Sequence, residues 1–155
     1  MSDPQKTSGI HFPPPFIYVG FFLLGLGLER IAPAVSLPRG PALAVAAVLL
    51  VPGFGLLFWS LFLFFKAHTS PLPMLPTTAI VKSGPYRWTR NPMYLAMLLV
   101  YIGVALWFDV FWALPFVPVV IFLVGRLVIG KEERYLEEKF GEEYRRYKSE
   151  VGRWL

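Results

Sequence analysis

"PMYLAMLLVYIGVALWFDVFWALPFVPVVIFLVGRLVI", residues 92–129, carries a charge at only two of its 38 positions, Asp109 and Arg126. A helix rises about 1.5 Å per residue and a bilayer core is about 30 Å thick, so the stretch is long enough for two crossings. Trp107, Phe108, Phe111 and Trp112 crowd around Asp109, and aromatic rings beside a lone charge mark a turn at the membrane–water boundary. The pattern predicts a tight helical hairpin with spans over about 92–108 and 110–129, the first of them short.

Two further apolar stretches lie upstream, over about 12–32 and 41–65. With 155 residues, a mean hydropathy of +0.54 and 55% apolar residues, the chain has a membrane as its natural solvent and room for one domain. The predicted fold class is therefore an all-α integral membrane protein with four transmembrane helices, a loop over 66–91 and a C-terminal amphipathic helical segment over 130–155. Pro52-Gly53 is expected to kink the second span. The glycines of "GLGLE" (25–29) follow no strand, so they read as helix-packing positions rather than a nucleotide fingerprint.

The net charge of +5 is unevenly placed. Residues 131–155 balance seven Lys or Arg against seven Glu, whereas Lys66, Lys82, Arg87 and Arg90 have no acid between them. A basic loop beside apolar spans follows the positive-inside bias, which puts loop 66–91, the tail and both termini in the cytoplasm, as in a bacterial inner membrane. No nucleic-acid recognition motif accompanies the charge, so nucleic acid is not an expected partner. Phe16 to Leu28 could form the core of a cleavable signal, but the residues before it lack a cationic cluster. No cysteine is present, and His11 and His68 lack metal-pair spacing, which excludes thiolate chemistry and argues against a metal.

The tail changes character. Leu136, Phe140, Tyr144, Tyr147, Val151 and Trp154 recur at helical intervals, with Gly141 as a possible break and Glu142 and Arg146 spaced as an i,i+4 pair. Such a face fits either a helix lying on the membrane surface or a lid over a site. The loop "KSGPYRWTRNPMY" (82–94) supplies its counterpart. Asn91 is placed to cap a helix that starts at Pro92, and the free amides of Pro92 to Tyr94, with Arg87 and Arg90, favour an anion. Arg126 and Glu133 are seven residues apart, so on a regular helix they share one side at about 10 Å and could hold the two ends of a zwitterion. Without a ligand the same charges read as snorkelling interface residues.

"GPYRWTRNPMY", followed about forty residues later by "EERYLEEKFGEEYRRYKSEVGRWL", resembles the isoprenylcysteine carboxyl methyltransferase and phospholipid methyltransferase superfamily of integral membrane enzymes. The resemblance covers residues 80–155. It implies methyl transfer from S-adenosylmethionine to a lipophilic small molecule or lipid. Tyr86, Arg90, Asn91, Pro92, Met93 and Tyr94 fall in the first motif, and Glu132, Glu133, Tyr144, Tyr147 and Arg153 in the second. Isoprenylcysteine enzymes usually carry histidine-proline where this chain has Asn91-Pro92. On this likeness Glu133, with Glu132, takes the donor's amino group, and Arg90 and the amides at Pro92 to Tyr94 take its carboxylate. Tyr86, Tyr144 or Tyr147 packs on the adenine, and Arg126 or Arg153 orients an acceptor carboxylate. A prenylcysteine-like carboxylate and a phospholipid amine are the two acceptor classes. The competing readings are an NADPH-dependent membrane reductase and a non-enzymatic membrane scaffold or transport subunit.

Overall fold

A computed structural model describes residues 7–10, 12–34 and 37–154, so His11 lies outside the described residues. Among these residues the structure is helical and contains no strand. Helix α1 covers Pro15–Ile31, α2 Arg39–Lys66 and α3 Pro92–Trp107. A continuous helical stretch of 30 residues, Phe111–Phe140, follows. It opens with a 3-10 segment, Phe111–Phe116, and continues as α4, Val117–Leu123. A π-helical segment, Val124–Ile129, then leads into α5, Gly130–Phe140. Helix α6, Glu142–Glu150, completes the chain.

Two of these helices, Arg39–Lys66 and Phe111–Phe140, are long and apolar enough to cross a membrane. Helices α1 and α3, with 17 and 16 residues, fall below the roughly 20 that a bilayer core demands, which is fewer long spans than the four expected. Large apolar side chains nevertheless face outward on α1 and α2, among them Phe16, Val48, Phe58 and Phe62. A contiguous apolar exterior of this kind is stable in lipid and not in water.

Close backbone approach sets the packing. A Cβ at Gly25 of α1 would lie 2.7 Å from the Ala113 nitrogen, so only glycine lets α1 reach the turn after Asp109. On the other side α2 lies along α3, where a Cβ at Gly53 would come within 3.0 Å of Val100 and one at Gly103 within 2.7 Å of Leu50. Helix α2 runs unbroken through Pro52. The hairpin turn is made by Asp109, whose φ of +62° is a left-handed conformation that aspartate tolerates better than most residues. The turn is closed by the Val110 amide donating to the Ala105 carbonyl at 2.8 Å and the Tyr101 hydroxyl donating to the Ala113 carbonyl at 2.8 Å. At the same end Glu29 accepts from the amides of Ala34 and Trp112.

The tail does not form one surface helix. Gly141, at φ +54°, breaks it into α5 and α6, as its residue type allowed. Tyr144 and Tyr147 are buried, and Trp154 packs against the core. The expected Glu142–Arg146 pair is not made: Glu142 pairs with Arg145, and Arg146 with Glu150 at 3.0 Å.

Candidate functional site

The loop before α3, the end of the long helical stretch and α6 converge on one cavity, with about 780 Å³ of empty space, its mouth included. Tyr86, Arg90, Asn91, Met93, Tyr94, Glu132, Glu133, Tyr144 and Tyr147 all line it. Asn91 and Glu133, 42 positions apart by number, therefore face a shared space.

Three expected residues sit elsewhere. Pro92 is buried as the first residue of α3 and does not line the cavity. Arg126 is exposed on the outside of the helix and is not part of the lining. Arg126 lies within the π-helical segment, whose wider turn means that a seven-residue spacing no longer returns to the same face, and the expected Arg126–Glu133 alignment is lost. Arg153 lies behind the wall, where it binds Glu133.

Asn91 has a different job from the cap expected of it. Its side chain makes no capping hydrogen bond; its Nδ2 donates to the Arg153 carbonyl at 2.8 Å. The Thr89 hydroxyl donates to that same carbonyl at 3.1 Å, and the Arg90 amide donates to the Gly152 carbonyl at 2.9 Å. Residues 89–91 thus clamp the extended end of the chain. The Asn91 carbonyl accepts the first intrahelical bond of α3, from the Leu95 amide at 3.1 Å.

The clamp brings two guanidinium groups to one carboxylate. Arg90 Nη2 lies 3.2 Å from Glu133 Oε1, with both side chains less than one-tenth exposed. Arg153 Nε donates to Glu133 Oε1 at 3.1 Å, and its Nη2 donates to Oε2. This bond holds the Arg153 guanidinium above its ordinary pKa. Both Glu133 oxygens are therefore engaged by guanidinium groups, although Glu133 also lines the cavity. The carboxylate facing the cavity with less company is Glu132, whose two oxygens accept from the Tyr94 hydroxyl at 2.9 Å each. Arg90, by contrast, has surplus donors: its Nε and Nη1 are buried and, among the described residues, have no hydrogen-bond partner. An unpaired buried guanidinium nitrogen is costly, and an anionic ligand would satisfy it.

Aromatic walls complete the site. The Tyr147 hydroxyl donates to the Tyr86 carbonyl at 2.7 Å, and the Tyr144 and Tyr147 rings meet edge-on with centroids 6.1 Å apart. Burial pushes the phenols of Tyr86, Tyr144 and Tyr147 well above the usual tyrosine value, so all three are neutral at physiological pH.

Sequence reasoning missed part of the lining. The proline-rich stretch 68–78, within the loop expected over 66–91, contributes Ser70, Leu72 and Thr77. Tyr135 is buried, and its hydroxyl accepts from the Thr77 amide at 3.0 Å. The signal for Tyr135 was available: it stands three residues beyond Glu132, and Leu136 four beyond, on one helix face. Among the described residues no group of three His, Cys, Asp or Glu side chains could hold a metal ion.

The sequence profile of the phospholipid methyltransferase family matches residues 41–143 of the chain. A protein of Haemophilus influenzae, described only as uncharacterized, is 46% identical over 63 residues, covering 41% of this chain and 100% of that one. No solved structure matches.

Proposed function

The chain belongs to the phospholipid methyltransferase family, and on that premise we propose that it is a membrane-embedded, S-adenosylmethionine-dependent methyltransferase acting on a lipophilic acceptor. The observation that carries the reading is the pair of unpartnered Arg90 nitrogens in the wall of a cavity that also presents the Glu132 carboxylate and buried tyrosines. Opposite charges in the lining of one cavity suit a zwitterionic amino acid group. Arg90 would hold the donor's carboxylate and Glu132 its ammonium group, with Tyr144 and Tyr147 beside the nucleoside. Glu133 and Arg153 would act one layer back, fixing Arg90. When bound, the donor supplies a methyl group on a positively charged sulfur.

The chain's own work is alignment and exclusion of water. The clamp of residues 89–91 on 152–153 and the Tyr147–Tyr86 bond close the cavity on its α6 side. In the proposed arrangement α1 and α3 also cross the bilayer, as short spans ending near the interfacial rings of Trp107 and Trp112, and residues 1–155 form one domain. Lys66, Lys82, Arg87 and both termini then face the cytoplasm, under the inner membrane of a bacterium.

Of the two acceptor classes, a phospholipid amine fits this wall better than a prenylcysteine-like carboxylate. Arg153, the cation that would orient an acceptor carboxylate, is committed to Glu133, and Arg90 is taken by the donor's own carboxylate, so no cation of the site is left for a carboxylate acceptor. The test is to incubate membranes containing the protein with methyl-labelled S-adenosylmethionine and extract the lipids. Label in the organic phase that disappears in an Arg90→Gln variant is the expected result. No label above membranes lacking the protein, or saturable binding of NADPH instead of S-adenosylmethionine, would overturn the reading.

A further inference from the structure

Behind the wall formed by Ile80 and Val81 lies a second, shallower groove, separate from the cavity but sharing those two residues with it. It is bordered by Leu63 and Lys66 at the end of α2, by Lys82, Gly84 and Arg87 of the loop, and by Glu143 of α6. Gly84, at φ +59°, turns the loop back against α2; a Cβ there would lie 2.7 Å from Leu63. That turn brings two loop cations, Lys82 and Arg87, to the same rim as Lys66 of α2, opposed by a single carboxylate. Glu143 pairs with Lys82 at 2.7 Å, and among the described residues neither Lys66 nor Arg87 makes an ion pair.

The groove's neighbours are lipid-facing. Phe65 is 82% exposed beside Lys66, and Trp88 is 66% exposed beside Arg87, with its ring edge-on to Trp59 at 6.3 Å. Aromatic side chains beside cations at the end of a spanning helix define the depth of phospholipid headgroups. We propose that this groove binds the phosphate of an anionic membrane lipid, held by Lys66 and Arg87, with its acyl chains along Phe62 and Phe65 of α2. This lipid is distinct from the acceptor, and the inference requires only that α2 crosses the bilayer. Held there, it braces the outer side of the Ile80–Val81 wall whose inner side faces the cavity.

The test uses the full chain reconstituted in vesicles of phosphatidylcholine mixed with phosphatidylglycerol, then extracted in mild detergent for native mass spectrometry of retained lipid. The wild-type protein should retain phosphatidylglycerol preferentially. With each interfacial cation contributing about a factor of five, the Lys66→Gln/Arg87→Gln double variant should lose about thirtyfold in that preference. Arg39→Gln, which removes a cation from the opposite end of α2, should keep it. A preference unchanged in the double variant, or lost equally in Arg39→Gln, would overturn the proposal. Displacement of the retained lipid by inorganic phosphate would also overturn it, because the groove would then be a site for a soluble phosphate. A melting temperature for the double variant equal to that of the wild type separates loss of lipid from loss of fold.

Discussion

In the helices, Ile31, Val51 and Phe65 stand more than seven-tenths exposed; in the cap formed by the α3 loop, α5 and α6, Glu133 and Arg90 are almost wholly buried. The usual arrangement of a soluble protein is inverted at one end and kept at the other. Lipid solvates the apolar exterior of the helices, so their mutual packing depends on close approach at Gly25, Gly53 and Gly103 rather than on escape from water. The cap buries charge, so it is held by directional bonds among Arg90, Glu133, Arg153 and Asn91. Substitutions of the same size should therefore act through different physics in the two regions.

The largest effect should come from stripping the cap of its central anion. Glu133→Ala leaves Arg90 buried without a counter-charge and is expected to cost about 3–5 kcal/mol. Thermal unfolding in detergent would measure it, and a loss below that of an ordinary surface substitution would break the contrast. Next come the helices. Gly25→Ala places a methyl group against the Ala113 backbone and should cost about 1–3 kcal/mol, as overpacking does. Gly103→Ala should cost less, since the atom it meets belongs to the movable Leu50 side chain. Equal losses for the two would show that backbone contact is not the limiting feature.

Smaller still is Asn91→Ala, which removes one hydrogen bond from the clamp and is expected to cost about 1 kcal/mol. Its effect on S-adenosylmethionine affinity should exceed its effect on stability, because the clamp positions Arg153 and through it Glu133 and Arg90. The smallest change is expected for Arg146→Ala on α6, whose pair with Glu150 is solvent-exposed and contributes about 0.3 kcal/mol. A large loss there would mean that α6 is held by its surface and not by Tyr144 and Tyr147.

Hydropathy and the lone Asp109 made the helical class and the turn after α3 legible, but the helical stretch after that turn runs on to Phe140 instead of ending near residue 129. The convergence of the α3 loop with Glu132 and Glu133 was legible only through the paired motifs. What could not be read was register. A π-helical segment leaves no mark in apolar periodicity, so Arg126 was aligned with a carboxylate it turns away from. The job of Asn91 was hidden for a related reason: a cap and a long-range clamp ask for the same side chain. Likewise the competition for Glu133 depends on where Arg153 lands after Gly141 and α6, a tertiary fact with no local signature.

The central claim is that Arg90 presents its spare donors to the donor's carboxylate. Calorimetric titration of the purified protein with S-adenosylmethionine and with its decarboxylated analogue tests this directly, because the two differ at that group alone. If the claim holds, the intact donor binds about ten- to a hundredfold tighter, the range expected for hydrogen bonds to a charged group, and Arg90→Lys narrows the gap. Equal affinities for the two in the wild-type protein would contradict it.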